Sequence, residues 1–185
     1  MRRVFPSFLA GVLVLGLAAC DAADPGTPDL GPGAFEATVA SSAASATIGG
    51  AAASSLGSDR STFDGTFGAY VIAETEDGTR YTFSSIQLTA DSGEQILLGS
   101  IAPGDELASG AYGIETSRNL DAPFDFVALY DDGSDDGRGG RSADRAIGGS
   151  VEVDVDGRLV SGTFDLEFPG SLSVSGSFNA APADG

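Results

Sequence analysis

Hydrophobic and polar residues alternate with a period of two along much of the chain, most clearly in the C-terminal third. Val151, Val153 and Val155 are separated by acidic residues, and the apolar positions between residues 160 and 168 have the same spacing. Side chains of a strand point alternately to the two faces of a sheet, so both stretches predict strands with one buried face. Asp156-Gly157 between them predicts a two-residue hairpin turn.

Turn signals connect this hairpin to further predicted strands. Pro169-Gly170 leads into a third strand over residues 172–178, which completes a three-strand meander. Upstream, Glu76-Asp77-Gly78 is another hairpin signature, and a change of apolar phase between Phe83 and Ile86 predicts a β-bulge. Strands are predicted over residues 67–75, 79–88, 95–101, 111–115 and 124–130.

Residues 35–56 are rich in Ala and Ser and contain the pair Gly49-Gly50. We interpret them as two strands of small residues, with an Ala-rich helix as the alternative. About eight to ten short strands predict an all-β fold, an antiparallel meander closed or flattened into a β-barrel, with a β-sandwich as the alternative. We expect a single domain over residues 34–179 and a disordered tail over residues 180–185.

The first 20 residues are organised as an export signal. Arg2 and Arg3 precede an apolar stretch over residues 8–17, which is too short to span a bilayer stably. The stretch ends in Leu17-Ala18-Ala19-Cys20, which resembles the lipobox of bacterial lipoproteins. The resemblance implies that residues 1–19 are a signal peptide and that the Cys20 thiol is diacylated after cleavage. The alternative, an incidental cysteine, would leave a single thiol that has no disulfide partner within a monomer.

A linker of low complexity follows the cysteine over residues 20–33, with Pro25, Pro28 and Pro32 placed among Gly and Asp. This composition cannot bury a core and is typical of an extended, semi-rigid tether. Two acyl chains on Cys20 are enough for stable membrane attachment. We therefore expect an exported protein of the cell envelope that is anchored to a membrane, with the outer membrane as the expected location.

Composition restricts the chemistry of the mature chain. Cleavage before Cys20 leaves 166 residues with 27 acidic side chains and 7 arginines. This negative charge argues against binding to nucleic acid or anionic lipid, both of which require clustered Lys and Arg. The chain contains neither His nor Lys, which excludes an imidazole general base and Schiff-base chemistry, so we expect no enzyme.

Three segments of the mature chain resemble exported lipoproteins and related secreted proteins of Bacteroidota-like and other environmental bacteria. The segments are GAFEATV at residues 33–39, IAPGDELASGAYGI at residues 101–114, and GGSVEV at residues 148–153 with the later VSGTFDL and VSGSF. The shared motifs are turn and core positions, so the resemblance implies a fold. The family has no assigned activity that could be transferred.

Residues 131–137 form an acidic loop in which Asp132, Ser134 and Asp136 have the spacing of the first ligands of an EF-hand-type calcium loop. The match ends at the twelfth position, where Ala143 replaces the required Glu. The favoured interpretation is a solvated acidic loop, partly neutralised by Arg138, Arg141 and Arg145. No other cofactor is expected, and Ca²⁺ binding by this loop remains an alternative.

Two weaker signals complete the sequence analysis. Asp91-Ser92-Gly93 has the form of an aspartic-protease loop but is also an ordinary turn, and we favour the turn. The aromatic residues fall mostly on alternating strand positions and are predicted to form a core, although a barrel of about eight strands can also enclose one apolar ligand. We expect a monomer with a non-enzymatic binding or structural role. A lipocalin-like carrier and a calcium-stabilised adhesion module are the alternatives.

Overall fold

The computed structural model describes residues 29–58, 81–103, 107–116, 124–134 and 143–183. These residues form ten strands and a short 3-10 turn at Pro169–Ser171, which confirms the predicted all-β class. No helix in the described part of the chain is long and apolar enough to cross a membrane. The strands are β1 Ala34–Ala40, β2 Ser45–Ser58, β3 Tyr81–Ala90, β4 Gln95–Pro103, β5 Gly110–Gly113, β6 Phe124–Asp131, β7 Asp144–Arg145, β8 Gly148–Asp156, β9 Leu159–Phe168 and β10 Leu172–Pro182.

All ten strands belong to one sheet that curls into a half-barrel, in the order β5-β8-β9-β10-β1-β2-β3-β4-β6-β7. Sequence neighbours pair antiparallel in the predicted meander β8–β9–β10 and in β1–β2. The two-strand interpretation of residues 35–56 is therefore correct, and the helical alternative is wrong. The strand predicted over residues 67–75 and the turn at Glu76-Asp77-Gly78 lie outside the described residues.

The curl brings the edge strand β5 close to β6. The backbone N–H of Glu115, just after β5, donates to the carbonyl of Phe126 in β6 at 2.6 Å. The Tyr112 and Phe126 rings meet edge to face, with centroids 5.3 Å apart. These contacts join the two sides of the sheet at a single place, so the apolar inner face is covered by the sheet itself.

Side chains from the inner face of the curled sheet pack together as the hydrophobic core. The Phe164 and Phe178 rings stack with centroids 6.3 Å apart, and the Tyr130 and Phe168 rings are tilted at 5.8 Å. Each large apolar side chain buried in this way contributes about 1.5–3 kcal/mol to folding. The fully buried apolar residues on this face include Ile86, Leu88, Ile96, Leu98, Phe126, Val151, Val160, Leu166, Val174 and Phe178.

Strand β3 is buried on both faces over residues 83–86, and the bulge predicted there lies in its partner strand β2. Phe83 is only 4 % exposed and lies on the face opposite to the core, where its ring lies over Gly99 of β4. Leu97, on the same outer face, is 2 % exposed. The β3–β4 register is continuous, and the irregularity is instead in β2, between Ser55 and Ser58. The change of apolar phase therefore marks burial on a second face of β3.

The last strand extends further than the sequence predicts. β10 continues to Pro182, Ala180 is fully buried, and the N–H of Ala183 donates to the Ser54 carbonyl at 2.7 Å. The predicted end of the domain at residue 179 and the disordered tail from residue 180 are corrected accordingly. Strand β1 lies between β10 and β2 in the sheet. Beyond the first residue of β1, strands β10 and β2 pair directly with each other in parallel. That pairing orders a segment with weak strand propensity of its own.

The sheet has two distinguishable ends. At the entry end, β1 begins, β10 ends, and the turn after Asp156 joins β8 to β9. At the far end lie the turns over residues 41–44 and 91–94, the loop over residues 131–134 and Pro169–Ser171. Both positions follow from the antiparallel order of the strands.

Two glycines allow the large rings of the core to lie against neighbouring strands. Gly176 pairs with Phe164 of β9, and Gly162 pairs with Phe178 of β10. A Cβ atom on Gly176 would clash with the Glu36 carbonyl oxygen and lie 2.7 Å from the Ala37 Cβ. Glycine is therefore required here by the close approach of β1 to β10.

We expect Gly176→Ala to lower the free energy of unfolding by about 1–3 kcal/mol, because the methyl group overpacks the β1–β10 contact. Urea denaturation followed by circular dichroism measures this change. Gly113→Ala is the matched control, since a Cβ atom at Gly113 meets no atom within 4 Å. Equal midpoints for the two variants would contradict the packing argument.

Candidate functional site

Two consecutive side-chain turns shape the loop at the far end that follows β6. Asp131 Oδ1 accepts a hydrogen bond from the Gly133 N–H at 2.8 Å. Asp132 Oδ1 accepts bonds from the Ser134 N–H at 2.9 Å and from the Ser134 hydroxyl at 2.6 Å. Gly133 has a φ of +74°, which glycine adopts without strain. Asp and Ser are favoured in such turns because their short side chains reach backbone two residues ahead.

The structure brings together two of the three predicted calcium ligands. Asp132 and Ser134 are adjacent, but they are bonded to each other, so one carboxylate oxygen and the hydroxyl proton are already used. Asp136 lies outside the described residues. Among the residues that the structure describes, no three carboxylate or thiol side chains are grouped so as to hold a metal ion. Calcium binding by the loop stays an alternative to the acidic loop without metal.

Asp131 of this loop is buried, which the sequence does not predict. It pairs with Gln95 of β4 on the outer face of the sheet and is 0 % exposed. Its Oδ2 atom is buried and has no hydrogen-bond partner in the described part of the chain. An Asp at the start of an acidic, Gly-containing segment is typical of an exposed turn, so no signal in the sequence indicates this burial.

The 131–134 loop packs on the turn over residues 91–94. A Cβ atom on Gly133 would lie 2.9 Å from the Gly93 carbonyl oxygen, so the two backbones are in contact. The Gly93 N–H donates to the Ala90 carbonyl at 3.0 Å, and the Ser92 hydroxyl donates to the Glu94 carboxylate. Asp91-Ser92-Gly93 is thus an ordinary strand-to-strand turn, as the sequence favours.

The two connections surround Tyr130 with negative charge. Burial, followed by the charges of Glu94, Asp132 and Asp131, raises the pKa of Tyr130 to about 12. The hydroxyl consequently stays protonated at neutral pH and is no candidate nucleophile or base. This end of the sheet therefore has an acidic surface with the buried Tyr130 ring beneath it.

A shallow depression of about 180 Å³ lies on the outer face of β5, β8 and β9. Its lining includes Glu152 of β8 and Asp165 of the neighbouring strand β9. Both side chains are exposed. Catalytic carboxylate pairs depend on environments that separate the roles of acid and base, which an exposed surface does not provide. The depression therefore carries no catalytic assignment.

Comparison of the chain with protein-family models, with curated proteins and with solved structures finds no match. A function must therefore be argued from the residues of this chain. Cys20, the predicted lipidation site, lies outside the described residues, so its role is argued from sequence.

The Asp132 carboxylate provides a pH test of the loop. Hydrogen bonds from the Ser134 hydroxyl and the Ser134 N–H lower the pKa of Asp132 below its ordinary value of 3.8. The ionised carboxylate consequently stabilises the turn above about pH 4, and this contribution is lost as the pH falls through the lowered pKa. We expect the Ser134 amide resonance to titrate below pH 3.8 in NMR spectra, and Ser134→Ala to move the midpoint upward. A midpoint unchanged by Ser134→Ala would contradict the assigned hydrogen bond.

The calcium alternative has a separate test. The Asp132 carboxylate and the Ser134 hydroxyl are already hydrogen-bonded to each other. We therefore expect the thermal midpoint of residues 29–185 to be the same in EDTA and in millimolar Ca²⁺ at fixed ionic strength. An occupied ion site would instead raise the midpoint by on the order of 5–10 °C. A rise of that size, abolished by Asp132→Ala but retained in Asp154→Ala, would establish the loop as a calcium site.

Proposed function

We propose that the protein is a lipid-anchored component of the cell envelope, attached to the outer membrane, whose β domain has a non-enzymatic binding or structural role. The observation that carries this proposal is the sequence Leu17-Ala18-Ala19-Cys20 at the end of a short apolar stretch. The first strand begins at Ala34, so the cysteine precedes the folded sheet by a short linker only. That arrangement suits a domain tethered close to a bilayer.

The non-enzymatic role is supported by the chemistry available in the chain. Without His and Lys, acid–base catalysis would depend on carboxylates and Tyr. The carboxylates of the far end bond within their own turns, as Asp132 and Glu94 do. The Tyr130 hydroxyl, with its raised pKa, does not ionise near neutral pH. These groups serve to shape and charge a surface.

A monomer without nucleic-acid partners is part of the same proposal. Exposed sheet edges are the usual route by which β proteins associate. Here Glu115 beside β5 bonds to Phe126 of β6. The edge of the sheet at β5 is therefore partly occupied by a contact within the chain. The strong negative charge of the chain opposes binding to phosphate backbones.

The two alternatives have less support. A carrier of an apolar ligand needs an enclosed cavity of a few hundred Å³, whereas the described interior holds packed side chains such as Phe126, Phe164 and Phe178. An adhesion module stabilised by calcium needs free ligand oxygens, whereas Asp132 and Ser134 are bonded to each other. Both remain hypotheses behind the anchored binding or structural module.

The anchor is tested by Cys20→Ser in a bacterial host that processes lipoproteins. We expect the wild-type chain to fractionate with membranes and its N-terminal peptide to carry the mass of a diacylglyceryl group. The variant should lose both properties, because the acyl chains are the hydrophobic attachment.

Cys20→Ser combined with Ser41→Cys is the matched control, since it restores a thiol at an exposed turn but not at the lipobox. We expect this double variant to stay out of the membrane fraction. Membrane association that persists in Cys20→Ser would refute the proposed anchor.

A further inference from the structure

Both ends of the folded chain are at the same end of the sheet. Ala34, the first residue of β1, pairs with Asn179 of β10. Strand β10 ends at Pro182, beside Ser54 of β2. The linker therefore joins the domain at the entry end, and the β1–β2 turn over residues 41–44 lies at the opposite end of β1. The 91–94 turn lies nearer to the entry end than the β1–β2 turn does, because the Asp91 N–H donates to the Gly49 carbonyl and Gly49 pairs with Glu36 near the start of β1.

The last residues of the linker are bound to the sheet. The Asn179 side-chain amide donates to the Leu30 carbonyl at 2.9 Å, across 149 residues of sequence. The Gly33 N–H donates to the Asn179 carbonyl at 2.6 Å, and the Gly33 carbonyl accepts from the Ala52 N–H at 2.9 Å. Gly33 has a φ of +81°, which glycine adopts without strain, and this backbone conformation places its N–H against the Asn179 carbonyl. Residues 30–33 are thus a fixed stem of the domain, and the tether predicted over residues 20–33 is shortened by these four residues.

The linker before the stem is short relative to the domain. Nine peptide units separate Cys20 from Asp29, and a fully extended chain of that length reaches roughly 32 Å. The β1–β2 turn at Ser42 is nine residues beyond Gly33, which corresponds to roughly 30 Å along β1. The far end can approach the membrane only when the linker is stretched along the side of the domain. Such stretching removes conformational freedom from every linker residue.

From this geometry we propose that the anchored domain has a fixed polarity. The entry end, held by the stem at Asn179, faces the membrane, and the far end faces away from it. The inference rests on the lipid anchor at Cys20 and adds an orientation to it. The membrane-facing surface is formed by the stem, the end of β10 and the turn between β8 and β9. The β1–β2 turn and Pro169–Ser171 are presented away from the bilayer.

Energy transfer to lipid head groups tests the polarity on the lipidated full chain. Acylation consumes the Cys20 thiol, so one introduced cysteine is the only site for a donor dye. Arg158→Cys places the dye in the exposed turn at the entry end, and Ser42→Cys places it in the exposed β1–β2 turn at the far end. In phosphatidylcholine vesicles with an acceptor on the head groups, we expect transfer from position 158 to be at least about twice that from position 42, given a separation of roughly 30 Å.

The outcomes separate the orientation from the anchor. Wild-type chains that do not float with the vesicles would refute the anchor, and the orientation with it. Chains that float but give equal transfer from the two positions, or more from position 42, would refute the orientation alone. A flexible insertion of about 20 Gly and Ser residues after Asp24 should abolish the difference, because a longer linker releases the domain. A difference that survives this insertion would refute the argument from linker length.

Substitution of Asn179 tests whether the stem contributes to the orientation. Asn179→Ala removes the donor to Leu30 and should reduce the difference in transfer, whereas Ser175→Ala, on the same strand and exposed, should not. Thermal midpoints show whether both variants fold. A folded Asn179→Ala protein that keeps the full difference would refute a role for the stem.

Discussion

An antiparallel sheet with one apolar face must cover that face, and the rest of this structure depends on how it does so. In the described part of the chain no helix packs against the sheet, so the sheet curls until β5 meets β6. Curling requires neighbouring strands to approach closely where large rings are stacked. Gly162 and Gly176 permit this approach, because each pairs with a phenylalanine on the next strand. The Phe178 ring lies where a side chain of Gly162 would be, with its tip 3.0 Å from the position of a Cβ atom there.

The same constraint explains which features the sequence predicts well. Strands β8, β9 and β10 have one buried and one exposed face, so their alternation is regular and their turns at Gly157 and Gly170 are recognisable. Strand β3 is buried on both faces over residues 83–86, and its apolar pattern breaks because Phe83 and Ile86 face opposite sides. A two-sided environment cannot be distinguished from a bulge by periodicity alone. The end of β10 escapes prediction because its order comes from pairing with β2, which is distant in sequence.

The far-end loop shows a comparable limit for the candidate site. Spacing alone predicts Asp132 and Ser134 as possible calcium ligands, but the same spacing suits a side-chain turn, and in the structure the two side chains are bonded to each other. The difference lies in where each proton and lone pair is directed, which depends on the backbone of the loop. The burial of Asp131 depends on tertiary contacts on the outer face of the sheet. A sequence pattern has no access to such contacts.

The position of β1 between β10 and β2 has a consequence for how the chain is made. The first strand has one of its two partners close in sequence, but the other is the last strand to be synthesised. Contacts between segments so far apart form slowly, because a long loop must close first. The half-barrel therefore cannot be completed before β10 is available to pair with β1. A chain with this topology finishes folding only after its C-terminal strand has been synthesised.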